Sequence, residues 1–294
     1  MNTKKFSLIP QAAVFAAGIA AALVLRTLQY FTVIEEYTGF YKNFDAKTVV
    51  FYIVIGAASL FFIVTSLFSK GTGFDRETAK RPVTAIISVL CGAAAFASVY
   101  GDYSAIGVDT SAYTVSSPMS GSSGNVLTYA VCIFGLVSAV YFIVLGVAYF
   151  TGRRTETYKV LALAPVLWNI ARLVLRFTRT ISYMRVSELL LEMLALCCYC
   201  LFFMAYARCT SAVNEEGSVK RIKAFGLTGA LMGLLCFVPR VIAVCAGRPE
   251  LIYVLSRVDF SDLALALFML VTVFTRLVPG ADIVNEKGEA VREI

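Results

Sequence analysis

Residues 126–150, VLTYAVCIFGLVSAVYFIVLGVAYF, run through 25 positions without a charge or a proline. At helical rise that stretch covers about 38 Å, more than the roughly 30 Å of a bilayer's hydrocarbon core. Seven further stretches share its character: 11–30, 48–68, 83–100, 160–177, 187–207, 222–245 and 260–278. Short polar connections separate them. The pattern predicts an all-α, polytopic helical membrane bundle of about eight transmembrane helices.

Composition agrees and narrows the field. The chain is 59% hydrophobic and 15% charged, with a mean hydropathy of +0.78, which leaves little sequence for a soluble domain. It contains no histidine. The commonest general base and the usual zinc and haem ligand are therefore absent, and the residues point to no cofactor or metal. The eight cysteines fall almost entirely within apolar runs, where a thiol behaves as a small hydrophobe. Cys197-Cys198-Tyr199-Cys200 contains a C-x-x-C spacing without a second pair, so neither a metal knuckle nor a redox motif is expected from it. The net charge of +7 comes from short loops at helix ends, with no basic patch interleaved with aromatics, and nucleic acid is not an expected partner. The bilayer is.

The first apolar run, with Lys4 and Lys5 before it and Ala20-Ala21-Ala22 within it, has some features of a signal peptide. Its length and its part in an internal repeat favour a retained helix. Sixteen of the 26 Lys and Arg gather at one set of helix ends, among them Lys80, Arg81, Arg208, Lys220, Arg221, Lys223 and Arg276. The connector 101–125 has none. The positive-inside rule then places both termini in the cytoplasm.

Two halves, 1–150 and 151–294, echo each other. Leu23-Val24-Leu25-Arg26 in the first span recurs as Leu173-Val174-Leu175-Arg176 in the fifth, and Lys80-Arg81 recurs as Lys220-Arg221. A parallel repeat of four plus four helices is the expectation. Gly226, Gly229 and Gly233 lie along one side of the seventh span, a close-packing stripe that serves helix contacts within the chain or a homodimer.

Charges inside the bilayer carry the most information, because each costs several kcal/mol unless it meets a partner or water. Arg172 and Arg176 stand one turn apart on the fifth span, with Trp168 and Asn169 a turn before them and Arg179 just beyond. Arg26 sits in the outer third of the first span, and Arg240 follows Pro239 in the seventh. Glu188 and Glu192 open the sixth span, Asp259 and Asp262 the eighth, and Asp102 closes the third. Nearly all fall in the extracytoplasmic half of the bundle. The short connection between spans five and six predicts a hairpin in which Arg176 meets Glu188 or Glu192.

Two functions fit. An outward-facing polar pocket lined by Arg26, Arg172, Arg176 and Arg240 would bind or transport a small anionic or zwitterionic solute by guanidinium contacts, with Glu188 and Glu192 orienting the arginines. Alternatively, the charges are structural ion pairs in a membrane scaffold or sensor component. An enzyme is the less expected outcome, since no nucleophile and base share a depth. Pro165 and Pro239 each free a backbone carbonyl, and the Ser/Gly-rich stretch 116–125 reads as a loop over the outer side. No nucleotide-binding loop is present, so any transport would draw on an ion gradient or a separate ATPase partner; a partner membrane subunit is a further candidate.

The Arg-ended first span, followed by an acidic loop containing Thr38-Gly39-Phe40 (26–44), resembles uncharacterised polytopic inner-membrane proteins of gut-type Firmicutes. The resemblance covers roughly the first 100 residues. It implies a bacterial cytoplasmic membrane and assigns no functional residue.

Overall fold

The computed structural model describes residues 9–33, 46–68, 72–74, 80–104, 123–152, 159–178, 186–211, 213–247, 258–279, 283–284 and 290–291. Among these, eight α-helices form an all-α bundle: α1 (Ile9–Thr32), α2 (Ala46–Leu67), α3 (Pro82–Ser104), α4 (Ser123–Thr151), α5 (Ala164–Thr178), α6 (Val186–Thr210), α7 (Glu215–Cys245) and α8 (Phe260–Arg276). The first seven are long and apolar enough to cross a membrane, with a short 3-10 turn, Leu161–Leu163, leading into α5. The eighth helix has 17 residues, about 26 Å at helical rise. Its expected last residues instead form β2 (Leu277–Pro279), which pairs antiparallel with β1 (Thr72–Phe74). A second small pair joins β3 (Ile283–Val284) to β4 (Ala290–Val291). Neither strand pair was visible in the apolar pattern, because strands of two or three residues have no measurable period.

Helix ends follow local chemistry. Pro82 occupies the first position of α3, where its missing N–H is no loss. Asn214 caps α7 in the left-handed region at φ 45°, its side chain accepting from the Gly217 N–H, and Glu215 and Glu216 in the first turn suit the helix dipole. That cap starts α7 seven residues before the apolar run does. Pro165 falls in the first turn of α5 and so starts that helix rather than breaking it. Pro239 does lie inside α7.

Helices α3, α4, α5, α6, α7 and α8 pack in that order into a closed ring, since each touches the next and α8 returns to α3. The α1–α2 pair rests against the outside of α7. The ring thus takes two helices from 1–150 and four from 151–294. In the repeat expected from sequence, α3 corresponds to α7. Yet α3 packs chiefly on α4 and α8, whereas α7 packs on α1, α2, α6 and α8. The ring interior is filled by aromatic side chains. Phe142 of α4, Phe202, Phe203 and Tyr206 of α6, and Phe268 of α8 interlock with centroids 5.2 to 6.4 Å apart. Such edge and offset contacts pack densely.

Glycines set the closest approaches. A Cβ on Gly226 would meet Val273 of α8 at 2.7 Å and Phe202 of α6 at 3.2 Å. One on Gly229 would meet Met269 at 3.1 Å and Cys198 at 3.2 Å, and one on Gly233 would collide with the Tyr199 hydroxyl. The stripe therefore seats α7 between α6 and α8 of the same chain. Gly92 and Gly146 do the same for α3 against α4, where a Cβ would reach the Ala139 or the Ala85 carbonyl at 3.0 Å. Outward faces carry exposed apolar residues such as Val24, Ile53, Leu60, Leu90, Phe96, Ile133, Val140, Val147 and Leu201. So large an apolar surface belongs against lipid. The chain is an integral, multi-pass membrane protein.

Candidate functional site

Successive helices alternate in direction, so the C-terminal ends of α1, α3, α5 and α7 share one end of the bundle with the N-terminal ends of α2, α4, α6 and α8. We call this the distal end; the start of α1 and the stop of α8 mark the proximal end. All eight candidate residues read from the sequence lie in the distal half or just below it. Those carrying charge are buried or nearly so.

Arg172 of α5 is the hub. Its Nη2 donates to Oδ2 of Asp259 and to Oδ1 of Asp262, both at 3.1 Å. Asp259 is the N-cap of α8: its Oδ1 accepts from the Ser261 N–H at 2.9 Å, and its Oδ2 also accepts from the Ser98 hydroxyl of α3 at 3.0 Å. One carboxylate thus ends a helix, holds a guanidinium and ties in a third element. The Arg172 guanidinium carbon lies 5.1 Å from the centroid of the Trp168 ring, a cation–π contact along one face of α5. Trp168 in turn packs on Gly135 of α4, where any Cβ would sit 3.0 Å from its Nε1.

Glu192 of α6 is the second node. Its Oε2 lies 3.3 Å from Nε of Arg176, and its Oε1 accepts from Nη2 of Arg240. The hairpin contact expected between spans five and six is therefore made by Glu192. Glu188, one turn earlier, lies in the electrostatic field of Arg240 and Arg26. Arg26 bonds Gln29 at 3.0 Å and stacks against Tyr30 and Phe51, at 5.1 and 5.4 Å, so it faces α2 rather than the Arg172 cleft. Asn169 donates to the Pro165 carbonyl at 2.7 Å and takes no part in the ion pairs.

Among the described residues, four guanidiniums, those of Arg26, Arg172, Arg176 and Arg240, thus share the region with the carboxylates of Glu188, Glu192, Asp259 and Asp262, and Arg172 also feels the charge of Asp102 at the end of α3. Between them is a cleft lined by Arg172, Arg176, Glu192, Ala195, Leu196 and Asp262, with a free volume of about 10 Å³, room for about one water. Several buried donors beside this network have no acceptor among the described residues: Nη1 of Arg172, Nε1 of Trp168 and the hydroxyl of Tyr199. Tyr199 was not singled out by sequence. It is one of many tyrosines in apolar runs, and only the contact of its hydroxyl with Gly233, which also faces the Asp262 carbonyl, sets it beside the network. Arg179 and residues 116–122 of the loop expected over this end lie outside the described residues.

Comparison of the chain with models of known protein families, with curated proteins and with solved structures finds no match.

Proposed function

We propose that the distal network is an ion-pair clamp, and that the chain serves as a membrane scaffold or sensor component whose intramembrane charges hold helix register. Among the described residues, the guanidiniums of this region are matched by at least as many carboxylates, around a cleft with room for about one water, and this supports the reading. An anion receptor needs surplus positive charge and space, and neither stands out among the described residues. Buried pairs of this kind add little net stability compared with apolar packing, but removing one member leaves an uncompensated charge and costs about 3–5 kcal/mol. That asymmetry suits a device that enforces one arrangement of α5, α6, α7 and α8. In this reading the protein lies in a bacterial cytoplasmic membrane with its termini inside, and the distal end faces outward. The test is a swap: Arg240→Met with Glu192→Met should recover much of the stability that either change alone removes. A double variant that loses the sum of the two single losses would sink the clamp.

A second reading is favoured by one observation, the buried donors of Arg172, Trp168 and Tyr199 that lack acceptors. In it, a carboxylate or similar acceptor on a small anionic or zwitterionic solute enters from outside and displaces Asp262 or Glu192 from the arginines. Uptake across a panel of organic anions and amino acids decides between the two. Transport lost in Arg172→Gln and Arg176→Gln, with normal membrane insertion, supports the solute; a protein that moves none of the panel leaves the clamp.

A further inference from the structure

At the proximal end stands a buried cation of a different kind. Arg276 closes α8 and is 2% exposed. Its guanidinium carbon is sandwiched between two rings, 4.9 Å from the centroid of Phe74 on β1 and 5.0 Å from that of Tyr149 on α4. The cage is rigid: the Tyr149 and Tyr206 hydroxyls are 2.7 Å apart, Phe74 meets the Tyr206 ring edge-on at 5.9 Å, and the β1–β2 pairing fixes Phe74 opposite Leu277, the residue after Arg276. No carboxylate among the described residues lies within ion-pair distance of Arg276, and its Nε has no hydrogen-bond partner. Glu215, also buried beside Phe74, has its Oε1 engaged by the Phe74 N–H at 3.1 Å.

Magnitudes decide what this means. Two cation–π contacts contribute about 0.5–2 kcal/mol each. Taking a guanidinium out of water costs several kcal/mol even after relaxation. Among the described residues nothing meets that difference, whereas each distal arginine has a carboxylate in contact or in range. The rim adds charge of the same sign. Arg81, whose backbone N–H bonds the Tyr149 carbonyl and whose side chain donates to the Thr275 carbonyl at 2.5 Å, stands beside Arg276, and Lys80 next to it is exposed.

We infer that Arg276, seated in its aromatic cage and flanked by Arg81, is the binding site for a phosphate-bearing anion at the proximal end. Guanidinium forks match phosphate oxygens two at a time, and the depth of a helix end is that of lipid headgroups. Two sources share this chemistry: the headgroup of an anionic phospholipid, which the cytoplasmic placement of this end proposed above would supply, and a free phosphate compound.

The purified full-length chain in zwitterionic detergent separates them. Thermal unfolding is followed while phosphatidylglycerol or phosphatidylcholine is added as mixed micelles, and, in parallel, sodium phosphate or sodium chloride at equal ionic strength. A rise in Tm with phosphatidylglycerol but not phosphatidylcholine, unmatched by phosphate, identifies the lipid headgroup. An equal rise with phosphate identifies the free anion. Arg276→Gln should abolish the rise. If that variant does not fold, Arg276→Lys takes its place and should raise the half-saturating concentration about tenfold, since a lysine keeps the charge but not the fork. No rise with either anion in the natural protein, or an undiminished response in the Arg276 variant, overturns the proposal.

Discussion

Arg172 of α5 and Asp262 in the first turn of α8 are bonded across the six-helix ring, Nη2 to Oδ1 at 3.1 Å, though 90 residues separate them in the chain. The contact joins helices that are not neighbours around the ring, so it braces the interior of the distal end. Replacing Asp262 by Asn leaves Arg172 held by Asp259 alone. Asp262→Asn and Arg172→Gln should each lower stability by about 3–5 kcal/mol, and the double variant by clearly less than their sum. Unfolding in detergent, followed by circular dichroism, measures the cycle; strict additivity would refute the coupling.

Glu192 serves two arginines of unequal burial. The Arg240 side chain is 4% exposed and that of Arg176 is 23% exposed. Arg240→Gln should therefore be markedly more destabilising than Arg176→Gln, and Glu192→Gln at least as harmful as Arg240→Gln, since it deprives both. The ranking is read from Tm values of the three variants. An Arg176 variant as damaged as the Arg240 one would contradict it.

Gly233 has room for a hydrogen and nothing more, because the Tyr199 hydroxyl and the Asp262 carbonyl, 3.2 Å from the place of a Cβ, close over it. Gly233→Ala should cost about 1–3 kcal/mol through overpacking. Tyr199→Phe removes the obstructing oxygen and should recover part of that loss in the double variant. Failure of Tyr199→Phe to help would mean that the Asp262 backbone, rather than the hydroxyl, sets the limit.

The proposed orientation makes a separate forecast. A periplasm-active reporter fused after Ser117 should be active, and one fused after residue 291 should be silent. The opposite result would invert the bundle and move the Arg276 site to the outer leaflet.

Legibility of the fold and of the network differed for physical reasons. Apolar runs without charge carry their own meaning, so the eight helices could be read with errors only at their ends, where a polar cap such as Asn214, the 3-10 turn before α5 or the β2 strand after α8 sets the boundary. The Arg176–Glu192 contact was foreseeable because a short connection forces spans five and six together. The pairing of Arg172 was not: its partners come from α8, and which helices close a ring is decided by the glycines and aromatic rings that fill it. Asp259 and Asp262 were visible as acids at the right depth, and a carboxylate at an N-cap already has a local task that hides a distant one. Arg276 read only as one more basic residue at a helix end, until the β1 strand placed Phe74 over it.

The attachment of α1 and α2 through α7 has a bearing on how the molecule comes apart. Their departure would break none of the junctions that close the circle of the other six helices. Heat or harsh detergent should peel this N-terminal arm away first, carrying Arg26 from the neighbourhood of Glu188, while a six-helix remnant survives to a higher temperature.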